Sequence, residues 1–282
     1  MVLFKTKAEL HQFLKEARNR GQEVGFVPTM GALHPGHISL ITRAKSENNL
    51  VVCSIFVNPT QFNDPKDLER YPITPEKDSR LLEEAGCDVL FLPNVKEMYP
   101  DESTPPPSPD LGSLDKVMEG KLRPGHFQGV VQIVSRLFDA VQPHRAYFGQ
   151  KDFQQLAIIR QMSAQLGYKT LIIGCPIIRE PDGLAMSSRN VLLTPTERKL
   201  ARAISQTLFL IKELTTLEPV PKLLALVSDK IASVPGMTLE YFEIVNAVSL
   251  LPVNEISDAK SVVACIAVKL GSIRLIDNIL LK

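Results

Sequence analysis

Every residue from 50 to 57 except Ser54 is apolar. A strand wetted on one face alternates polar and apolar side chains. A near-continuous run of this length therefore marks a strand covered on both faces, as in a parallel sheet between helices. Similar runs occupy 24–27 and 87–92, and further strands are expected at 145–149 and 170–178. Pro28 is expected to end the first of them. Helical stripes lie between the runs. Leu10, Phe13, Leu14 and Ala17 follow a Thr6/Glu9 capping box and precede Gly21, and the chain is expected to open with this helix. Ile38, Ile41 and Ala44 mark a second helix, a third starts at Thr74-Pro75 and closes at Gly86, and Leu156, Ile159 and Leu166 mark another. Val130, Ile133, Val134, Leu137, Phe138 and Val141 line a longer one. This alternation predicts an α/β chain with a Rossmann-like doubly wound parallel sheet. After the capping box Thr194-Pro195-Thr196-Glu197 the order changes. Helices near 195–216 and 221–234 precede strands at 239–246, 261–270 and 273–280, which suits a smaller C-terminal α+β domain. Domains 1–180 and 181–282 are expected, the second closing over a site on the first.

Charge and composition exclude several classes. Lys plus Arg number 32 and Asp plus Glu 31, for a formal charge of +1, so no basic footprint for nucleic acid exists. No apolar run approaches the ~18 residues of a membrane span. The N-terminus lacks the long apolar core of a signal peptide. Cys53, Cys87, Cys175 and Cys265 are far apart and read as buried thiols in a reducing compartment, so a cytoplasmic location is expected. The proline-rich stretch 101–112 reads as a loop, either a flap or a surface excursion.

Chemistry concentrates at strand-to-helix junctions. The run Val27-Pro28-Thr29-Met30-Gly31-Ala32-Leu33-His34-Pro35-Gly36-His37 reads as a strand end, a glycine-bracketed turn and a helix start. A helix N-terminus attracts anions, and His34 and His37 lie one turn apart beside it. Gly31 and Gly36 have P-loop spacing, but His37-Ile38 stands where Lys-Ser/Thr is required, so a P-loop is rejected. No Glu or Cys completes a metal set with the two histidines. Asn58-Pro59-Thr60-Gln61-Phe62 follows the buried run, where doubly wound sheets bind ligands. Tyr147-Phe148-Gly149-Gln150-Lys151-Asp152-Phe153-Gln154-Gln155 places a lysine in a first helical turn, unfavourable unless it serves an anion. Met186-Ser187-Ser188-Arg189 puts two hydroxyls and a guanidinium on what reads as a mobile loop.

These separated segments, in this order, resemble the pantothenate synthetase (pantoate–β-alanine ligase) family of the His-x-Gly-His nucleotidyltransferase superfamily. The resemblance covers nearly the whole chain, including Arg274-Leu275-Ile276-Asp277-Asn278. It implies condensation of pantoate with β-alanine at the expense of ATP, through a pantoyl adenylate, releasing AMP and pyrophosphate. It implies catalytic roles for His37, His34 and Lys151. ATP contacts are implied for Met30, Gly31, His34, His37, Gly149, Lys151, Asp152, Ile178, Met186, Ser187, Ser188 and Arg189. Pantoate and β-alanine contacts are implied for Gln61, Gln155 and Asn58. Arg123 and His126 stand where the family has the same run near its phosphate end, and a structural turn fits them equally. Mg2+ would accompany ATP. The family places a magnesium-associated acidic pair on the helix after Pro75. Only Asp78 matches, Lys77 replaces its neighbour, no metal ligand is assigned, and Asp78 is expected on a solvated face. Thr60 stands where the family has Met or Leu, Gln150 where it has Glu, and Ile73 where it has Arg. A homodimer is implied, with no nucleic-acid or membrane partner. The alternative is another adenylyltransferase of the superfamily that keeps AMP in its product.

Overall fold

The computed structural model describes residues 1–63, 68–100 and 107–282. Residues 64–67 and 101–106, the latter within the expected proline-rich loop, lie outside the described set. Two compact units result. The first comprises Met1–Leu111, Leu122–Gly149 and Ile158–Cys175; the second comprises Gly112–Lys121, Gln150–Ala157 and Pro176–Lys282.

The first unit is built on a six-stranded sheet, all parallel, in the order β1-β4-β3-β2-β5-β6. Its strands are β1 (Val2–Phe4), β2 (Val24–Thr29), β3 (Leu50–Ile55), β4 (Val89–Phe91), β5 (Arg145–Gly149) and β6 (Leu171–Cys175). β3 is buried throughout, as its apolar run demands. The chain opens with β1 rather than with the expected helix; a strand of three residues is too short to carry a periodicity. Pro28 does not end β2 but pairs with Ser54 inside it. Val24 O accepts from His144 N on the β5 side, so by alternation Pro28 turns toward that side. There the β2–β5 ladder pairs Gly25 and Phe26 only, and the missing N–H is not needed. Helices α1 (Lys7–Asn19), α2 (Pro35–Glu47), α3 (Pro75–Glu84) and α6 (His126–Val141) cover the faces. Phe26 meets Phe138 of α6, with ring centroids 6.4 Å apart. Its neighbour Val27 faces the other way, into a cluster with Leu40, Ile41 and Ala44 of α2 and Leu82 of α3. Leu40 rather than Ile38 completes the buried stripe of α2. All four cysteines are buried free thiols, and burial pushes Cys87 up to about 11.

β2 has β3 on one side and β5 on the other, so the chain reverses its direction of growth there. The carboxyl ends of β2 and β5 border that switch point, the position where open parallel sheets bind ligands.

The second unit holds an antiparallel sheet of β7 (Met237–Asn246), β8 (Val262–Leu270) and β9 (Ile273–Leu280). Helices α9 (Arg202–Leu214) and α10 (Val220–Ala232) cover one face through Ile204, Leu208, Ile211, Leu223, Val227 and Ile231. Each such side chain contributes roughly 1.5–3 kcal/mol on burial. Polar contacts from segment 112–121 bind the sheet as well. The Glu119 carboxylate accepts from Arg274 at 2.7 Å through each oxygen and from the Tyr241 hydroxyl at 2.8 Å. Gln154, at the start of α7 (Phe153–Gln165), accepts from Glu119 N and donates to Leu114 O and Val117 O. A single cut at 180/181 therefore does not describe the compact units. Glu119 and Arg274 lie 155 positions apart, and no local pattern announces their pairing.

Candidate active site

In the first unit the signature run forms a tightly held loop. Thr29 Oγ1 donates to Ser54 O at 2.8 Å and accepts from Gly31 N at 3.2 Å. Gly31 (φ 84°) and Ala32 (φ 50°) are left-handed. His34 then caps α2, with Pro35 in the first helical position. His34 Nδ1 accepts from Gly36 N at 3.1 Å, and His37 Nδ1 accepts from His34 N at 3.4 Å. The two imidazoles are thus a reciprocal capping box, their ring centroids 4.0 Å apart. A ring nitrogen that accepts an N–H carries no proton, so each neutral ring holds its proton on Nε2. No acidic residue occupies the first turn of α2, which leaves the positive end of the helix dipole for an anion.

The Asn58–Phe62 segment packs against this loop. Pro59–Gln61 is a single 3₁₀ turn, and Gln61 Nε2 points at Met30 Sδ, 3.0 Å away. Asn58 is buried with every hydrogen-bonding position used. Its amide donates to Gln61 Oε1 and Gly129 O, both at 3.1 Å, and accepts from Tyr99 OH at 2.7 Å and Thr60 OH at 3.2 Å. Burial raises the Tyr99 hydroxyl above its usual range, which keeps it a neutral donor. Asn58 therefore acts as the support of Gln61. His126 does likewise. Its Nδ1 lies 2.8 Å from Gln61 O, a pure acceptor, so Nδ1 carries the proton and Nε2 accepts from Arg123 at 3.2 Å. Of the expected residues of this unit, Met30, Gly31, His34, His37, Asn58 and Gln61 are brought together, and Gly149 ends β5 at the switch point. A mainly apolar cavity of about 330 Å³ adjoins the loop, lined by Met30, Gly31, Ile55, Phe56, Asp78 and Leu92 among others.

In the second unit Lys151 and Asp152 sit in the 3₁₀ turn Gln150–Asp152 ahead of α7, and Gln155 is half-buried on the first turn of that helix. Of the adjacent glutamines, Gln154 is the structural one, buried among the contacts given above. Residues 178–186 form a hairpin with an Arg179–Ala185 bridge and a Met186 N to Ile178 O bond of 3.0 Å. Ser187 caps the short 3₁₀ helix Ser188–Leu192 by accepting from Arg189 N at 3.3 Å. Ile178, Met186, Ser187, Ser188 and Arg189 are all half-buried along this segment.

The sequence profile of the pantoate-beta-alanine ligase family matches residues 2–280. The chain belongs to the pantoate-beta-alanine ligase family. The Bacteroides thetaiotaomicron pantothenate synthetase is 54% identical over 282 residues, covering all of this chain and 99% of that one. The Phocaeicola vulgatus pantothenate synthetase is 53% identical over the full length of both. Among solved structures, the Thermus thermophilus pantothenate synthetase matches at TM-score 0.93 and 43% identity over 99% of both chains. The Francisella tularensis pantoate-beta-alanine ligase, complexed with beta-gamma ATP and beta-alanine, matches at TM-score 0.83 and 37% identity, covering 100% of this chain and 98% of that one.

Within this pantoate-beta-alanine ligase, two residues have supporting roles that the sequence alone does not announce. Asp78 is not on a solvated face: it is 1% exposed. Its Oδ2 accepts from Ala32 N at 2.9 Å, its Oδ1 from Leu33 N at 2.8 Å, and Thr74 adds a bond of 3.2 Å. A Cβ at Gly31 would come within 3.0 Å of Asp78 Oδ2, so the glycine is needed for close approach as well as for its φ. Gly129 is the second. A Cβ there would lie 2.4 Å from Thr60 O and 2.8 Å from Gln61 Cα, both backbone atoms. Gly129→Ala is accordingly expected to displace the Gln61 turn at a cost of about 1–3 kcal/mol. Steady-state kinetics should show a raised KM for pantoate with a smaller change in KM for ATP. An unchanged pantoate KM would remove Gln61 from that role.

Among the described residues no group of three or more His, Cys, Asp or Glu forms a metal cage. Asp78 directs both oxygens at the loop. Asp78, the one match to the family's magnesium-associated pair, is therefore already engaged by the loop backbone. No helix of the described residues is long and apolar enough to cross a membrane.

Proposed function

We propose that this ligase condenses pantoate with β-alanine in two half-reactions on one enzyme, MgATP being the nucleotide substrate. The pantoate carboxylate attacks the α-phosphorus of ATP, pyrophosphate leaves, and pantoyl adenylate forms. The β-alanine amine then attacks the acyl carbon, AMP leaves with the carboxylate-derived oxygen, and the amine loses a proton as the amide forms.

The observation that carries this reading is the capped histidine pair. Two imidazoles with Nε2–H edges sit at a helix N-terminus with no acidic residue in its first turn, on the loop whose Met30 meets Gln61. Phosphoryl transfer needs charge stabilisation and positioning more than covalent help, which fits such donors. His37 and His34 would donate to the phosphates, His37 also to the departing pyrophosphate. Lys151, Ser187, Ser188 and Arg189 would add donors to the phosphates. Gly149 and Asp152 would hold the ribose, and Met30, Gly31, Ile178 and Met186 would complete the ATP contacts. Gln61 and Gln155 would hold pantoate. A neutral amide suits this task, because it orients a hydroxy acid without neutralising the carboxylate that must attack. The Francisella relative's complex with an ATP compound and β-alanine agrees with the substrate set. The family resemblance extends the reading to a cytoplasmic homodimer, which sedimentation as a monomer at working concentration would remove.

Incubation with MgATP and pantoate, with and without β-alanine, tests the chemistry. Mass analysis is expected to show pyrophosphate and an enzyme-bound pantoyl adenylate without the amine, and free AMP with pantothenate once it is added. AMP retained in the final product would instead mark an adenylyltransferase.

A further inference from the structure

We propose that Asn278, on the C-terminal strand β9, is a positioning residue for the reaction: mounted on the Arg179–Asp277 pair, it sets the turn that presents Lys151 and ties it to the hairpin leading into Met186–Arg189. This rests on the reading of Lys151 as a phosphate contact.

Asn278 Nδ2 donates to two successive carbonyls, Gln150 O at 2.8 Å and Lys151 O at 2.9 Å. Both amide hydrogens are thereby used on the one 3₁₀ turn that carries Lys151. Asn278 is held in turn from its own backbone. Its N–H donates to Asp277 Oδ1 at 2.8 Å, and its carbonyl accepts from Arg179 at 3.2 Å. Arg179 grips Asp277 through both guanidinium nitrogens, at 2.6 and 3.0 Å. The same guanidinium donates to Gly183 O at 3.0 Å and lies over the Phe209 ring, 5.1 Å from its centroid. Arg179 and Ala185 bridge the hairpin whose next residue is Met186. β9 packs against both short turns, Gln150–Asp152 and Ser188–Leu192.

A buried aspartate and asparagine side by side in a strand are costly unless satisfied, and here each of their side-chain bonds ends on the Lys151 turn, on Arg179 of the hairpin or on each other. A planar arginine fork locks its partners in one geometry. A lysine side chain is long and flexible, so the placement of its backbone decides how much freedom it loses on reaching a phosphate. Two segments that grip one triphosphate also gain from a shared mount, because a shift of about 1 Å can cost 10²-fold in rate.

The test is a double-mutant cycle on kcat/KM for ATP in pantothenate formation, using Asn278→Ala, Lys151→Ala and the pair, with melting temperatures alongside. Asn278→Ala is expected to lower kcat/KM for ATP roughly 10- to 100-fold. In the Lys151→Ala background it is expected to lower it less than about 3-fold, since a residue acting through Lys151 has nothing left to position. Fully additive losses would assign Asn278 a general structural role and overturn the proposal. Lys151→Ala at the parent rate would instead overturn the reading of Lys151 itself. If Asn278→Ala does not fold, Asn278→Ser, which keeps one donor hydroxyl, runs the same cycle with the same two outcomes.

Discussion

His37→Ala is expected to slow pantoate-dependent exchange of labelled pyrophosphate into ATP by about 10²–10⁴-fold, the usual worth of a proton donor in the transition state. The fold should survive. His37 accepts from His34 N at the long distance of 3.4 Å, and the loss of such a capping bond costs about 1 kcal/mol. Thr29, Asp78 and the His34–Gly36 bond still hold the loop. His37→Asn separates the two roles, because a short amide keeps an acceptor near the cap but places no donor where Nε2 lay. It should recover stability and not rate. Exchange at the parental rate in either variant would end the assignment of His37 to the leaving pyrophosphate.

Asp78→Ala is expected to cost about 3 kcal/mol of stability, by the worth of hydrogen bonds to a charged acceptor, and at least roughly 10²-fold in adenylation. Two N–H groups, a half-buried one on Ala32 and a buried one on Leu33, lose their acceptor at once. Ala32 is a non-glycine residue at φ 50°, a conformation that persists only where its surroundings impose it. Without the carboxylate the loop can relax, and the histidine cap that follows loses its approach angle. Asp78→Asn retains the shape but turns an NH2 toward one of those donors, so it should recover part of the stability and little of the activity. Chemical denaturation and the exchange assay together decide the matter. A variant with parental exchange and reduced stability would make Asp78 a scaffold residue with no bearing on the histidines.

Asp78 also shows where reading the chain fails. A carboxylate in the first turn of a helix looks the same in sequence whether water or a buried backbone receives it. The partners that decide between them are 45 and 46 positions upstream. Asn58 and Gln61 were both legible as a polar turn after a buried strand. That Asn58 is the one engaged on all sides depended on Gly129 and Tyr99, brought to the turn by other elements. Gln154 and Gln155 are adjacent, and only the segment around Glu119 separates their roles.

The sequence by itself determined what local periodicity, caps and motifs can carry. It specified a covered parallel sheet, the capped helices, the order of the three C-terminal strands and the histidine signature at a helix start. These are encoded within windows of a turn or a strand, where side-chain spacing follows backbone geometry directly. Tertiary structure alone decided the rest: the Asp78 clamp, the four-way use of Asn58, the Glu119–Arg274 pair and the Asn278 mount. Each joins polar groups far apart in the chain. A buried polar residue must find a partner, yet nothing near it in sequence says which one, so only the folded chain can name it.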